Sequence, residues 1–195
     1  GLATMARNLQ PGLIIANRTV GDAYEDFITP EHQIPDEPLD SPWESCLVMA
    51  ENWKYHPRDR YKSTIEIMEM LVDIISKGGN LLLGVGPTPE GEFTPQAIER
   101  LEEIGAWFQI NGEAVYGTRA KAPYRFGDVR FTAKGDQTYA FVFHRDPFTV
   151  PGDMVGEKPS LLGSNGAVER SQEGESVRLI PHSTDLPLPL VYKLS

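Results

Sequence analysis

The stretch from Ser63 to Gly112 constrains the fold more than any other. Ser63 and Glu66 have capping-box spacing, and Ile65, Met68, Val72 and Ile75 recur every three or four residues, which predicts an amphipathic helix. Gly78-Gly79 ends it, because glycine accepts positive φ. Asn80-Leu81-Leu82-Leu83-Gly84-Val85 then reads as a buried strand. Thr94 as N-cap and Pro95 at the first helical position open a second helix, whose inner face is expected to carry Ile98, Leu101, Ile104 and Trp107 before it ends near Asn111-Gly112. Helix, strand and helix joined this closely imply a parallel sheet wrapped by helices.

The residues before this unit extend the same pattern. Ala3 to Asn8 reads as the end of a helix, stopped by Gln10-Pro11-Gly12, and Leu13-Ile14-Ile15-Ala16 as a short buried strand. Arg18 to Pro42 is then a long polar loop with four prolines and seven Asp or Glu side chains; loops of this length are usually functional. Glu44 to Met49 reads as a second buried strand, followed by the aromatic loop Asn52-Trp53-Lys54-Tyr55-His56-Pro57.

After Gly117 the pattern changes. Val129–Thr132, Thr138–Phe143, Ser176–Ile180 and Leu190–Leu194 read as strands separated by Gly/Pro turns. The expected organisation is an α/β unit over residues 1–120 and an all-β module over 121–195, with Lys121-Ala122-Pro123 as linker. Three strands and two strong helices are too few for eight βα units, which take about 250 residues. The α/β part is therefore expected to be incomplete, and the opening Gly1-Leu2-Ala3-Thr4-Met5, which lacks an initiator methionine, reads like a cut end.

Composition excludes several classes. With 18 Lys and Arg against 28 Asp and Glu the formal charge is -10, which opposes nucleic-acid binding. At 40% hydrophobic residues the chain has enough apolar side chains for a core, yet its apolar runs are far too short for a membrane span, so no membrane insertion is expected. One cysteine, Cys46, allows no internal disulfide, and His32, His56, His144 and His182 have no partners at metal-ligand spacing; no metal or cofactor is expected. Gly84-Val85-Gly86-Pro87-Thr88 lacks the Lys-Ser/Thr ending of a phosphate loop. Asn17-Arg18-Thr19 matches a glycosylation sequon, read as a chance match at a strand end. Trp107 has core periodicity, whereas Trp53 stands in a polar loop. The carboxylates Asp22, Glu25, Asp26, Glu31, Asp36, Glu37 and Glu44 gather after the first strand and at the start of the second, and parallel α/β folds place active sites at the carboxyl ends of strands.

Five ordered blocks carry a family resemblance: Leu9-Gln10-Pro11-Gly12-Leu13-Ile14-Ile15-Ala16-Asn17-Arg18; Phe27-Ile28-Thr29-Pro30-Glu31; Pro42-Trp43-Glu44-Ser45-Cys46; Lys77 to Pro87; and Asn111 to Arg119. Together they resemble the α-L-fucosidase family of glycoside hydrolases, closest to the branch acting on α-1,3- or α-1,4-linked fucose.

The resemblance implies the C-terminal portion of a (β/α)-barrel followed by a β-sandwich, and a retaining exo-fucosidase acting on a fucosylated oligosaccharide or glycoconjugate. Retention needs two carboxyl groups about 5 to 5.5 Å apart. No residue here matches the family's nucleophilic Asp, which precedes this segment, so the chain alone is expected to be inactive. Glu31 matches the acid/base, with Glu44 as the alternative acid. Arg18 matches a sugar-binding arginine, and Trp53 the aromatic that packs on fucose. Gly84 stands where the family usually has Asn, and Asn17 where it has Asp. A noncatalytic module that binds glycan or braces the barrel is the alternative function. An extracytoplasmic or periplasmic location fits the family, and oligomeric state is left open.

Overall fold

The computed structural model describes residues 1–18, 24–181 and 185–195. Helix α1 spans Leu2–Leu9. Strand β1 (Glu44–Val48) and strand β2 (Asn80–Gly84) pair in parallel over five residues, and helix α2 (Thr64–Ser76) connects them. Two further extended segments continue this sheet through isolated parallel bridges: Ile28 to Trp43, Glu31 to Cys46, and beyond them Ala16 to Phe27. Segments 13–17, 27–31, β1 and β2 therefore lie side by side and run the same way.

Helix α2 begins where expected. The Ser63 hydroxyl accepts from Glu66 N–H while the Glu66 carboxylate accepts from Ser63 N–H, completing the capping box. These bonds, first the backbone one to Ser63 and then its hydroxyl, with Arg60 adding to them, lower the Glu66 pKa to about 2. Thr94 caps helix α3 (Pro95–Asn111) by accepting from Ala97 N–H at 3.2 Å.

Helix α2 buries two faces where the periodicity showed one. Ile74 packs on Trp43 and Leu47, and Ile67 on Met49 and Ala97, on the parallel-sheet side. Met68, Val72 and Ile75 turn the other way, onto Tyr139, Phe141 and Val191 of the C-terminal strands. Each such side chain contributes about 1.5–3 kcal/mol of burial.

Those strands form two antiparallel sheets. One has the order β3 (Arg119–Phe126), β4 (Val129–Lys134), β5 (Gln137–Val142), β10 (Leu190–Lys193), β7 (Ser160–Leu161); the other has β6 (Phe148–Pro151), β9 (Ser176–Ile180), β8 (Glu169–Glu173). Their shared core contains Phe131, Val142, Phe148, Leu179 and Tyr192. The architecture is the expected one, part of an α/β barrel followed by an all-β sandwich. Trp107, 1% exposed, joins the two by donating from Nε1 to the Pro189 carbonyl at 2.8 Å.

Four local expectations change. Leu13–Ala16 is not a regular strand: the Ala16–Phe27 bridge and the bonds between Ile15 and Asp26 hold it, and Ile14 is 70% exposed. In β2, Leu81 and Leu83 meet the helices but Leu82 on the opposite face is 48% exposed, so the strand is buried on one side only. On α3 the buried positions are Ala97, Trp107 and Asn111, while Ile98 and Leu101 face outward; the small Ala97 lets the helix approach. Lys121–Pro123 is not a linker but lies inside β3, at a sheet edge where proline forfeits no ladder bond. No helix among the described residues is long and apolar enough to cross a membrane.

Candidate active site

Trp43, Leu47 and Leu81 pack against α2, so the alternation of a strand turns Glu44, Cys46, Val48, Leu82 and Gly84 to the opposite face of the sheet. At the carboxyl ends of the four parallel segments the chain brings together Arg18, Glu31, His32, Trp53 and Gly84.

Segment 27–31 is locked from both sides. On one side Asp26 accepts from Ile15 N–H at 2.7 Å and from Arg7 at 2.8 Å, and its pKa is lowered, first by the Ile15 bond and then by Arg7. Asn17 Oδ1 accepts from Thr29 N–H at 3.0 Å and from the Thr29 hydroxyl at 2.6 Å. An amide oxygen does this as well as a carboxylate oxygen would, so Asn17 retains the hydrogen bonds without the charge. On the other side Ile28 N–H donates to Pro42, Glu44 N–H to Ile28, Cys46 N–H to Pro30 and His32 N–H to Cys46.

This frame holds Glu31 level with Cys46, where its Oε2 accepts from Arg18 Nη1 at 3.0 Å. Both side chains are about half exposed (43% for Arg18, 54% for Glu31). Their charge pair is worth little as stabilisation, but it holds both groups where a polar ligand can reach them. Glu44 lies two residues earlier on β1, roughly 7 Å toward the amino end of the sheet. The structure thus groups Arg18, Glu31 and Trp53 at one end and sets Glu44 apart.

Trp53 is 40% exposed in the loop after β1, and its indole meets the His32 imidazole edge-on with centroids 4.6 Å apart. A Cβ added at Gly84 would lie 3.1 Å from the Trp53 ring, so the glycine makes room for the indole over the sheet. His32 is the residue that sequence reasoning missed. It has φ of 55°, the one positive value outside glycine among the described residues, and strain of this kind concentrates at functional sites. Nothing in its sequence neighbourhood signals that conformation.

The remaining candidates fall elsewhere. Glu37 accepts from the Tyr124 hydroxyl at 3.0 Å, remote from Arg18 in the sheet order. His144 pairs with Asp128 at 3.0 Å. Asp22, His182 and Thr19 of the sequon lie outside the described residues.

The profile of the family described as Alpha-L-fucosidase matches residues 1–113. The tissue alpha-L-fucosidase of Rattus norvegicus is 36% identical over 165 residues, covering 76% of this chain and 34% of that protein. Alpha-L-fucosidase of Branchiostoma floridae is 32% identical over 131 residues, 64% of this chain and 27% of its own length. Among solved structures, alpha-L-fucosidase isoenzyme 1 from Paenibacillus thiaminolyticus superposes with a TM-score of 0.88 at 29% identity, covering 99% of this chain and 52% of that one. An alpha-L-fucosidase from Bacteroides thetaiotaomicron, at 24% identity and a TM-score of 0.84, shares the fold. The chain spans about a third or less of these curated relatives and about half of these solved structures. With a profile match over more than half its length, the chain belongs to the alpha-L-fucosidase family.

Proposed function

We propose that the complete protein containing this chain is a retaining exo-α-L-fucosidase that removes terminal fucose, α-1,3- or α-1,4-linked, from oligosaccharides or glycoconjugates. Residues 1–120 are its C-terminal barrel portion and 121–195 its β-sandwich. One observation carries the reading: Arg18, Glu31 and Trp53 converge at the carboxyl ends of the parallel segments, with Glu31 3.0 Å from Arg18.

In this reading Glu31 is the acid/base. It gives its proton to the glycosidic oxygen while a nucleophilic carboxylate attacks the anomeric carbon; the resulting carboxylate then takes a proton from the water that hydrolyses the fucosyl ester. The nucleophile is assigned to a residue outside these 195, so the isolated chain hydrolyses no aryl α-L-fucoside. Arg18 hydrogen-bonds the sugar, and the exposed face of Trp53 packs against the fucose methyl. The position of Glu31 at the carboxyl end of its segment supports it over Glu44.

The test uses Glu31→Gln in the complete protein, which keeps shape but removes the transferable proton. Fucosides with poor leaving groups should lose far more rate than activated aryl fucosides, with azide partly rescuing the latter. Equal losses for both would move the acid role to Glu44 or elsewhere.

A further inference from the structure

Beyond Glu31 the chain runs through residues 33–37 without regular structure, and three separate elements hold this stretch. From β1, the Ser45 hydroxyl donates to the Gln33 carbonyl at 2.7 Å. From the end of α2, Lys77 Nζ donates to the Pro35 carbonyl at 2.8 Å. From β3 of the sandwich, the Tyr124 hydroxyl donates to Glu37 Oε2 at 3.0 Å and reaches the Asp36 carbonyl at 3.4 Å. Burial and then the Glu37 bond keep the Tyr124 phenol above its ordinary pKa, so it remains a donor.

Lys77 is itself bound into the sandwich. Its side chain is only 6% exposed, and its second bond, 2.8 Å long, goes to Asp73 Oδ2; the other oxygen of Asp73 takes Arg130 Nε of β4 at 3.4 Å. A buried ammonium loses hydration that its ion pair barely returns, so an apolar pair would serve packing better. What an apolar pair would not supply is a directional bond to the Pro35 carbonyl. A cleft of about 740 Å³ lies between residues 34–37, α2 and strands β3 and β4, lined by Ile34, Glu69, Arg125 and Phe143 among others. The loop and the sandwich are therefore joined across this cleft by point polar contacts rather than by packed side chains.

We propose that the β-sandwich is part of the apparatus that places the acid: Tyr124 through Asp36 and Glu37, and Arg130 through Asp73, Lys77 and the Pro35 carbonyl, act as positioning residues for Glu31. This rests on Glu31 being the acid/base. A general acid works within hydrogen-bond reach of the leaving oxygen, and a displacement of about 1 Å lowers rate steeply. Releasing residues 35–37 from these contacts therefore loosens the chain just beyond Glu31, and protonation of the leaving group is the step expected to register it.

The experiment compares Tyr124→Phe, Arg130→Gln and Glu31→Gln in the complete protein over aryl α-L-fucosides of graded leaving-group ability, with thermal melts of each. Tyr124→Phe and Arg130→Gln are expected to lower kcat/KM about 3- to 10-fold for the poorest leaving group and less than about 2-fold for the most activated, with melting temperature nearly unchanged. Arg130→Lys should recover most of the loss. Losses equal across the series, or losses that follow the melting temperature, would overturn the proposal. A steep leaving-group dependence in Glu31→Gln with none in the two sandwich variants rejects the positioning role alone. A flat Glu31→Gln profile rejects the acid assignment and this inference with it. Should Arg130→Gln fail to fold, Tyr124→Phe, which removes only a hydroxyl, decides.

Discussion

Gly78 and Gly79 are adjacent, and the structure requires each for a different reason. Gly78 has φ of +84°, and a Cβ built on it would meet only the Ala120 methyl, at an ordinary 3.4 Å. Its replacement by alanine costs left-handed strain of about 1–2 kcal/mol, reduced by about 0.4–1 kcal/mol because alanine restricts the unfolded chain. The net loss is about 1 kcal/mol. Gly79 has no such φ, but a Cβ there would fall 2.4 Å from both Cε2 and Cζ2 of Trp43 and 2.6 Å from Cδ2. Carbon atoms prefer about 3.5–4.0 Å, so the indole would have to retreat by more than 1 Å. It has no room, being 2% exposed and packed among Leu47, Ile74, Ile28, Ile34, Met70 and Leu81. Gly79→Ala is therefore expected to cost about 3 kcal/mol, the upper end of overpacking.

Trp43→Phe separates the two causes. Phenylalanine drops Cζ2 and has a smaller ring that can shift away from a Gly79 methyl, and the indole N–H it removes has no protein partner among the described residues. Denaturant unfolding of the complete protein, with and without each glycine substitution, gives two double-mutant cycles. The Gly79/Trp43 cycle should show about 1–3 kcal/mol of coupling, with the phenylalanine relieving the alanine; Gly78/Trp43 should be additive within about 0.5 kcal/mol. If Gly79→Ala destabilises as much beside Phe as beside Trp, the steric account of this position is wrong.

Three further outcomes follow from the same reasoning. In the complete protein, the proposed sugar contact predicts that Trp53→Ala lowers kcat/KM toward fucosides by about 1–3 kcal/mol with little change in melting temperature, because the indole is 40% exposed; a large loss of stability with unaltered kinetics would place it in the core. Glu66 titrates at about 2 in the folded chain and higher when unfolded, so its contribution is fully present above the ordinary carboxylate range and is lost as pH falls toward 2. Glu66→Gln should flatten that part of an acid-unfolding profile, and an unchanged profile would show that the capping box does not titrate as described. The Tyr192 hydroxyl is buried without a protein partner among the described residues, and burial pushes its pKa up to about 12 despite Arg145, so Tyr192→Phe should leave stability equal or raise it by about 1 kcal/mol in thermal melts.

The elements legible in the sequence are those whose own residues dictate them. The Ser63/Glu66 box, the Thr94-Pro95 start, the apolar alternation of β9 and the β-type runs of β4, β5 and β10 each signal their element from their own residues. What was hidden depends on partners. Strand β3 contains Pro123 and β8 is five exposed residues, so neither has an apolar pattern, and both are strands because β4 and β9 pair with them. Segment 27–31 contains Pro30 and is extended because Ile28 and Glu31 find β1. On α3, counting large apolar side chains favours Ile98 and Leu101, yet packing is decided by Ala97, whose size permits close approach.

The candidate site was legible only through the motif blocks, and Asp26 and Glu31 show why. Both are acidic, both stand on the same short extended segment, and composition treats them alike. Asp26 is engaged by the Ile15 N–H and the Arg7 guanidinium, which commits its Oδ2 to fixing the register of segments 13–17 and 26–28. Glu31, five residues on, pairs with Arg18 among the described residues and keeps half its surface open beside His32 and Trp53. A carboxylate with one oxygen held twice by the fold acts as a structural strut. One left with capacity to spare, on a backbone pinned by β1 on one side and by Asn17 on the other, is open to a ligand, as the proposed acid role requires, and that distinction resides in the neighbours rather than in the residue.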